Sequence, residues 1–182
     1  MEIAREALQL IEEFEGCLRK VPGQDLYAPY IDPVGIPTIG IGSIWRLDGV
    51  TRVTMQDPPI TKAECYERMD AELQRKCVPA LALYVTVQLH PFSEGALLSF
   101  MYNCGTGAFK ASGIRRAVNE RRWSDVPGEL AKWRMGGGRV LPGLVRRRKA
   151  EADLFMRGVA LQRTAASDND NTGWRTILER AA

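Results

Sequence analysis

The feature that most constrains this 182-residue chain is the abrupt change in its punctuation after the first helical segment. Ile3, Ala7, Leu10, Ile11 and Phe14 recur at helical spacing, with Glu2, Arg5, Glu6, Gln9, Glu12 and Glu13 on the other face, which predicts an amphipathic helix. Gly16 offers the left-handed conformation that commonly ends a helix, so Glu15 is left at its C-terminal end. A carboxylate there meets the negative end of the helix dipole and is poorly placed for helix stability. From Val21 to Pro59 the chain is broken by Pro22, Gly23, Pro29, Pro33, Gly35, Pro37, Gly40 and Gly42, among others, and only short strands and turns fit. Thr38 to Ile41 and Ile44 to Leu47 are the best strand candidates.

Beyond Pro59 the chain reads as helical. Thr61 with Glu64 is a capping-box pattern, and a helix is expected from Lys62 to about Val78, where Pro79 interrupts. Phe92 to Tyr102 is apolar on nearly every side, as in a helix buried inside a bundle. Gly113 to Arg121, Ser124 to Arg134 and Leu144 to Val159 complete the helical part, and Val145, Ala152, Met156 and Val159 stripe the last of these. After Arg163 the residues turn polar and turn-rich, which predicts a flexible connection to a short terminal helix from about Gly173. The expected organisation is a predominantly helical α+β domain over residues 1–163 and a polar tail over 164–182. Within the domain a small sheet lobe of about 15–59 sits against a helical lobe of 1–14 and 61–163.

A hydrophobic content of 45% with 26% charged residues is enough for a core that needs neither metal nor disulfide. The net charge of +3 gives only mild attraction to acidic polymers. No run reaches the length of a membrane helix, and the opening Met1-Glu2-Ile3-Ala4-Arg5-Glu6 lacks the basic-then-apolar order of a secretory signal. We therefore expect a cytoplasmic chain without stable membrane insertion. Cys17, Cys65, Cys77 and Cys104 form no CxxC pair and His90 is the only histidine, which argues against a zinc site and for free thiols. The run Arg146-Arg147-Arg148-Lys149 opens an apolar-striped helix, so it reads as a solvated face with one or two buried structural arginines and not as a nucleic-acid site.

Glycoside hydrolysis needs one carboxylic acid to protonate the leaving oxygen and usually a second carboxylate on the other side of the sugar. Glu15, between an apolar helix and a glycine turn, suits a partly desolvated cleft in which an acid keeps its proton. Asp32, in Tyr30-Ile31-Asp32-Pro33-Val34-Gly35, can face it from the sheet, and it equally suits an Asx turn before Pro33. Thr38 can fix a water by donating and accepting hydrogen bonds, and it equally suits an ordinary strand. With 22 acidic residues in the chain, residue type alone singles out no pair.

The ordered set decides between these readings. Phe14-Glu15-Gly16, then Tyr30 to Gly35, then Thr38-Ile39-Gly40-Ile41-Gly42, resembles the phage-lysozyme family. The likeness continues through Ala96 to Phe109 and through Trp133-Arg134-Met135-Gly136-Gly137-Gly138 and Gly143-Leu144-Val145-Arg146-Arg147 to Glu151. The resemblance implies a lysozyme-like fold with a cleft between the lobes and a long helix joining them. It implies Glu15 as general acid, Asp32 as second carboxylate and Thr38 as the hydroxyl that holds the attacking water, with Asn103 and Trp133 as substrate contacts. It further implies an endolysin that cleaves the β-1,4 bond between N-acetylmuramic acid and N-acetylglucosamine of bacterial peptidoglycan, with inversion and with neither metal nor cofactor. The expected setting is a monomer held in the host cytoplasm until a holin opens the membrane.

Two departures stand out. Sixteen residues separate Glu15 from Asp32, more than the family usually carries, and Asp25 lies nearer the usual distance; the unchanged six-residue step to Thr38 favours Asp32. Ser43 stands where many relatives have histidine. The competing readings are a lytic transglycosylase and a non-catalytic wall-binding or nucleic-acid-binding module with the same fold.

Overall fold

The computed structural model describes residues 1–180, with side chains through residue 165. Helix α1 (Arg5–Glu15) buries Ala7, Leu10 and Ile11. It ends at Gly16, whose φ of +73° turns the chain and whose N–H donates to the Glu12 carbonyl at 2.8 Å.

The small lobe is built from two-residue strands: β1 (Leu26–Tyr27), β2 (Tyr30–Ile31), β3 (Pro37–Thr38) and β4 (Ile60–Thr61). β1 pairs antiparallel with β4, and β2 with β3, with Tyr30 opposite Thr38. The strand expected over Thr38 to Ile41 stops at Thr38, because the chain reverses at Gly40, φ +62°, and Ile39 and Ser43 exchange backbone hydrogen bonds of 2.9 and 3.1 Å. No side chain fits there, since a Cβ on Gly40 would lie 2.8 Å from Cys65 Sγ. The stretch from Ile44 to Leu47 forms only the Trp45–Arg52 bridge.

Helix α2 (Lys62–Glu72) starts at the expected capping box: Thr61 Oγ1 accepts from Glu64 N, and Glu64 Oε2 accepts from Thr61 N at 2.8 Å. The proline does not end it. A π turn over Leu73–Cys77 leads directly into α3 (Val78–Tyr84), with Pro79 in the first turn. The wider turn absorbs the missing N–H of Pro79 and the collision of its ring with the carbonyl four residues back. This broken rod is the long joint between the lobes.

Helix α4 (Pro91–Cys104) is the centre of the helical lobe and is buried from Gly95 through Met101. Helix α1 crosses it closely, because a Cβ on Gly95 would lie 2.6 Å from that of Ala7. Around it stand α5 (Thr106–Ala111), α6 (Gly113–Asn119), α7 (Val126–Ala131), the hairpin β5 (Met135–Gly136) with β6 (Arg139–Val140), and α8 (Pro142–Arg180). The buried stripe of α8 is Arg148, Glu151, Ala152, Phe155 and Val159, whereas Val145, expected in it, is exposed. Backbone helix continues past Arg163 to Arg180, so the expected break at the polar run does not occur. The side chains of the expected tail beyond residue 165, and residues 181 and 182 entirely, lie outside the described residues.

Among the described residues no helix is long and apolar enough to cross a membrane, and no cluster of three or more His, Cys, Asp or Glu is arranged to hold a metal ion.

Candidate active site

Glu15 ends α1 with its side chain 27% exposed, and a guanidinium rather than an apolar niche holds it. Arg147 Nη1, almost wholly buried near the start of α8, lies 2.5 Å from Glu15 Oε1. The same guanidinium donates through Nη2 to the Ser99 carbonyl and through Nε to Glu151 Oε1, both at 3.3 Å. Glu151 is fully buried and also accepts from Ser99 Oγ and Arg148 Nη2, each at 2.8 Å. Burial pushes the Glu151 carboxyl above its ordinary value, and Arg148, Arg147 and Ser99 pull against it. Arg148 Nη2 also donates to Asn103 Oδ1 at 3.1 Å. Asn103, Arg148, Glu151, Arg147 and Glu15 thus form one chain of charge-assisted hydrogen bonds, two cations against two carboxylates, so no buried charge stands alone. The rings of Phe14 and Phe100 lie under the two guanidiniums at 5.7 and 5.0 Å.

Glu15 and Asn103 line a groove of about 560 Å³, together with Phe14, Leu141, Pro142 and Arg146. With Asn103 Oδ1 taken by Arg148, its amide N–H groups have no partner among the described residues and are available to a ligand. Neither Asp32 nor Thr38 is among the residues lining that groove; in the small lobe, Asp32 Oδ1 accepts from the N–H of Val34 at 2.9 Å and of Ile36 at 2.8 Å. The Asx turn is therefore real, and it leaves Oδ2 without a partner among the described residues. Thr38 is 3% exposed and donates its hydroxyl to the Ile36 carbonyl at 3.0 Å. Ile36 therefore fixes both side chains, one through each of its backbone polar groups. Tyr30 lies opposite Thr38; burial raises its phenol, and the negative charges of Glu15 and Asp32 raise it further.

The other sequence candidates are placed elsewhere. Asp25 is largely exposed and pairs with Lys20 at 3.0 Å. Trp133 is half-buried, packs edge-to-face on Phe100 with centroids 5.2 Å apart, and is not among the groove-lining residues. Ser43 is buried in the turn at Gly40.

The phage lysozyme family pattern matches residues 12–151. The chain belongs to the phage lysozyme family. It is a lysozyme-type glycoside hydrolase of predominantly helical α+β fold. It is 33% identical over 177 residues to the endolysin of Lactococcus phage c2, an alignment covering 95% of this chain and 67% of that protein. Among solved structures it is similar to the endolysin from Escherichia coli O157:H7 phage FAHEc1, with a TM-score of 0.72 and 29% identity over 85% of this chain and 93% of that one. It is also similar to the muramidase domain of SpmX from Asticcacaulis excentricus, with a TM-score of 0.69 and 28% identity over 85% and 97% of the two chains. The matched span of the phage lysozyme pattern begins just before Glu15 and ends on Glu151, so every member of the buried charge chain falls inside it.

Sequence reasoning misses the partner of Glu15. The basic run reads as carrying one or two structural arginines, and Arg147 and Arg148 are both buried, but Arg147 also holds the acid. The available signal is the spacing of Arg147 and Arg148 to Glu151, four and three residues on, in a helix otherwise buried on that face.

Proposed function

We propose that this chain is an endolysin that hydrolyses the β-1,4 bond between N-acetylmuramic acid and N-acetylglucosamine in peptidoglycan, with Glu15 as the general acid. The observation that carries the reading is a partly exposed carboxylate on the wall of a groove, held from behind by a buried arginine. A sugar chain in that groove brings its bridging oxygen to Glu15, which gives up a proton as the bond breaks. The negative charge left on Glu15 forms against the Arg147 guanidinium, which is already in place and needs no reorganisation. The unpartnered oxygen of Asp32 takes a proton from the attacking water, and the buried Thr38 hydroxyl, its hydrogen committed to Ile36, offers lone pairs to orient that water. Attack from the face opposite the leaving group inverts the anomeric carbon. Asn103 donates its amide hydrogens to the sugar. Trp133, engaged with Phe100, has no part in this reading.

In this reading the chain works as a monomer and reaches the wall from the cytoplasm once a holin has opened the membrane. The test is mass spectrometry of muropeptides released from purified walls. Reducing ends are expected; 1,6-anhydro ends, lighter by one water, would mean that the sugar closes on itself as in a lytic transglycosylase, and absence of products would leave a wall-binding module.

A further inference from the structure

Two of the four thiols touch. Cys17, two residues past Glu15 and half-buried, donates a hydrogen bond to Cys65 Sγ with the sulfurs 3.3 Å apart. Cys65 lies in the first turns of α2 and is almost wholly buried. A disulfide needs the sulfurs at about 2.05 Å, so they must close by little more than about 1 Å. Among the described residues neither Cys77 nor Cys104 contacts another sulfur, and the Cys104 sulfur is occupied by Arg148 Nη1 at 3.1 Å.

The surroundings suit bond formation. The hydrogen bond from Cys17 holds the Cys65 thiol below its ordinary value, burial opposes it, and the positive charges of Lys62 and Arg68 add to the lowering. The contact also lies on a seam that is fixed independently, because the Glu12 carboxylate, one turn before Glu15, accepts from both Lys62 Nζ and Tyr66 Oη of α2. Gly40, two residues after Thr38, abuts Cys65 Sγ. Three segments thus meet at one sulfur: the end of α1, the turn behind Thr38, and the start of the joint between lobes.

We propose that Cys17 and Cys65 are a disulfide-forming pair, which closes when the protein meets an oxidising compartment and ties the small lobe at its root. The 47 residues between them contain all four strands of that lobe, with Asp32 and Thr38. The oxidant is a small-molecule disulfide. The more exposed Cys17 passes its S–H proton to the Cys65 sulfur along their hydrogen bond and attacks the oxidant, releasing one thiol and forming a mixed disulfide; Cys65 then loses that proton to solvent base. The Cys65 thiolate then attacks the Cys17 sulfur and expels the second thiol, so two protein thiols become one disulfide while the oxidant is reduced to two thiols. Passage to the wall side of the membrane, which rests on the proposed function, supplies the oxidising setting; the chemistry needs no wall and is tested apart from it.

The test treats the full reduced chain with oxidised glutathione at mildly alkaline pH, quenches by alkylation and maps the peptides. The expected product links the Cys17 peptide to the Cys65 peptide with loss of two hydrogens, with Cys77 and Cys104 alkylated. Because the closed loop is long, the thermal midpoint should rise by roughly 5–10 °C and fall back with dithiothreitol. Cys17→Ser, a half-buried and conservative change, should remove both the cross-link and the rise, as should Cys65→Ser, whereas Cys104→Ser should keep both. A stable glutathione adduct on Cys17 beside an alkylated Cys65, a bond from Cys65 to Cys77, or a cross-link without added stability would overturn the proposal.

Discussion

Arg147 Nη1 and Glu15 Oε1 meet at 2.5 Å across 132 residues of sequence. This contact resolves the awkward position of a carboxylate at the negative end of a helix: the guanidinium supplies the charge that the dipole withholds. It also makes the acid dependent on long-range folding, since Arg147 is placed by Glu151 and Ser99 in the packing of α8 on α4. Glu15 is held in one orientation only after both ends of the domain have come together.

Glu15→Gln tests the acid directly. Glutamine keeps an oxygen that accepts from Arg147 Nη1, so the thermal midpoint should stay within about 3 °C, while it has no proton to give. Loss of a general acid costs on the order of 10²- to 10⁴-fold in rate. Turbidity loss of purified wall should fall by that amount; retained lysis would remove Glu15 from the mechanism.

Asp32 and Asp25 can be separated the same way. Asp32→Asn retains the Oδ1 that accepts from Val34 and Ile36, so it should preserve the turn and cut lysis by about 10²-fold or more. Asp25→Asn breaks only an exposed pair with Lys20 and should leave lysis within about twofold. The opposite ranking would make Asp25 the second carboxylate.

How much of this is legible depends on range. The end of α1 at Gly16 and the capping box at Thr61 are local and lie where the residues put them. Pro79 reads as a stop because a proline removes one helical hydrogen bond, but the packing of Leu73, Cys77 and Leu81 into the core holds the helix through a π turn. Thr38 to Ile41 looks like a strand by β-branched content, and the fit of Gly40 against Cys65, a residue 25 positions away, turns it. In the site, the ordered motifs single out Glu15, Asp32 and Thr38. The roles of Ile36 as shared brace and Arg147 as holder cannot be read, because both follow from backbone geometry and from helix α8 facing α4.

Arg147→Lys asks whether charge alone suffices. A lysine ammonium is a compact point charge and cannot reach Glu15, Glu151 and the Ser99 carbonyl at once as the planar guanidinium does. Disrupting one partner of a buried ion network costs about 3–5 kcal/mol when the partner is lost, and the retained charge should leave the loss nearer the lower end. Denaturant unfolding should show that loss, and lysis at a temperature where the variant is fully folded should still fall about tenfold or more from misorientation of Glu15. Full activity of the folded variant would reduce Arg147 to a structural role.

Acid should weaken the small lobe through Asp57. Arg46 grips this carboxylate with Nε at 3.0 Å and Nη2 at 2.6 Å, and Thr54 Oγ1 adds a bond of 2.7 Å. The Arg46 hydrogen bond, with Thr54 assisting and burial opposing, holds the Asp57 carboxyl down to about 2, against about 3.9 for an aspartate in an unfolded chain. A folded value below the unfolded one means that the unfolded chain binds the proton more readily. The contribution is therefore complete above about pH 4 and is lost as pH falls from about 4 towards about 2. In Asp57→Asn this dependence is gone, so the gap in thermal midpoint between parent and variant should be constant near neutrality and narrow steadily below about pH 4. Arg46 is nearly half exposed, so added salt should shrink the neutral-pH gap. A gap unchanged down to about pH 2 would mean that Asp57 is held by shape alone and that its charge contributes nothing to the lobe.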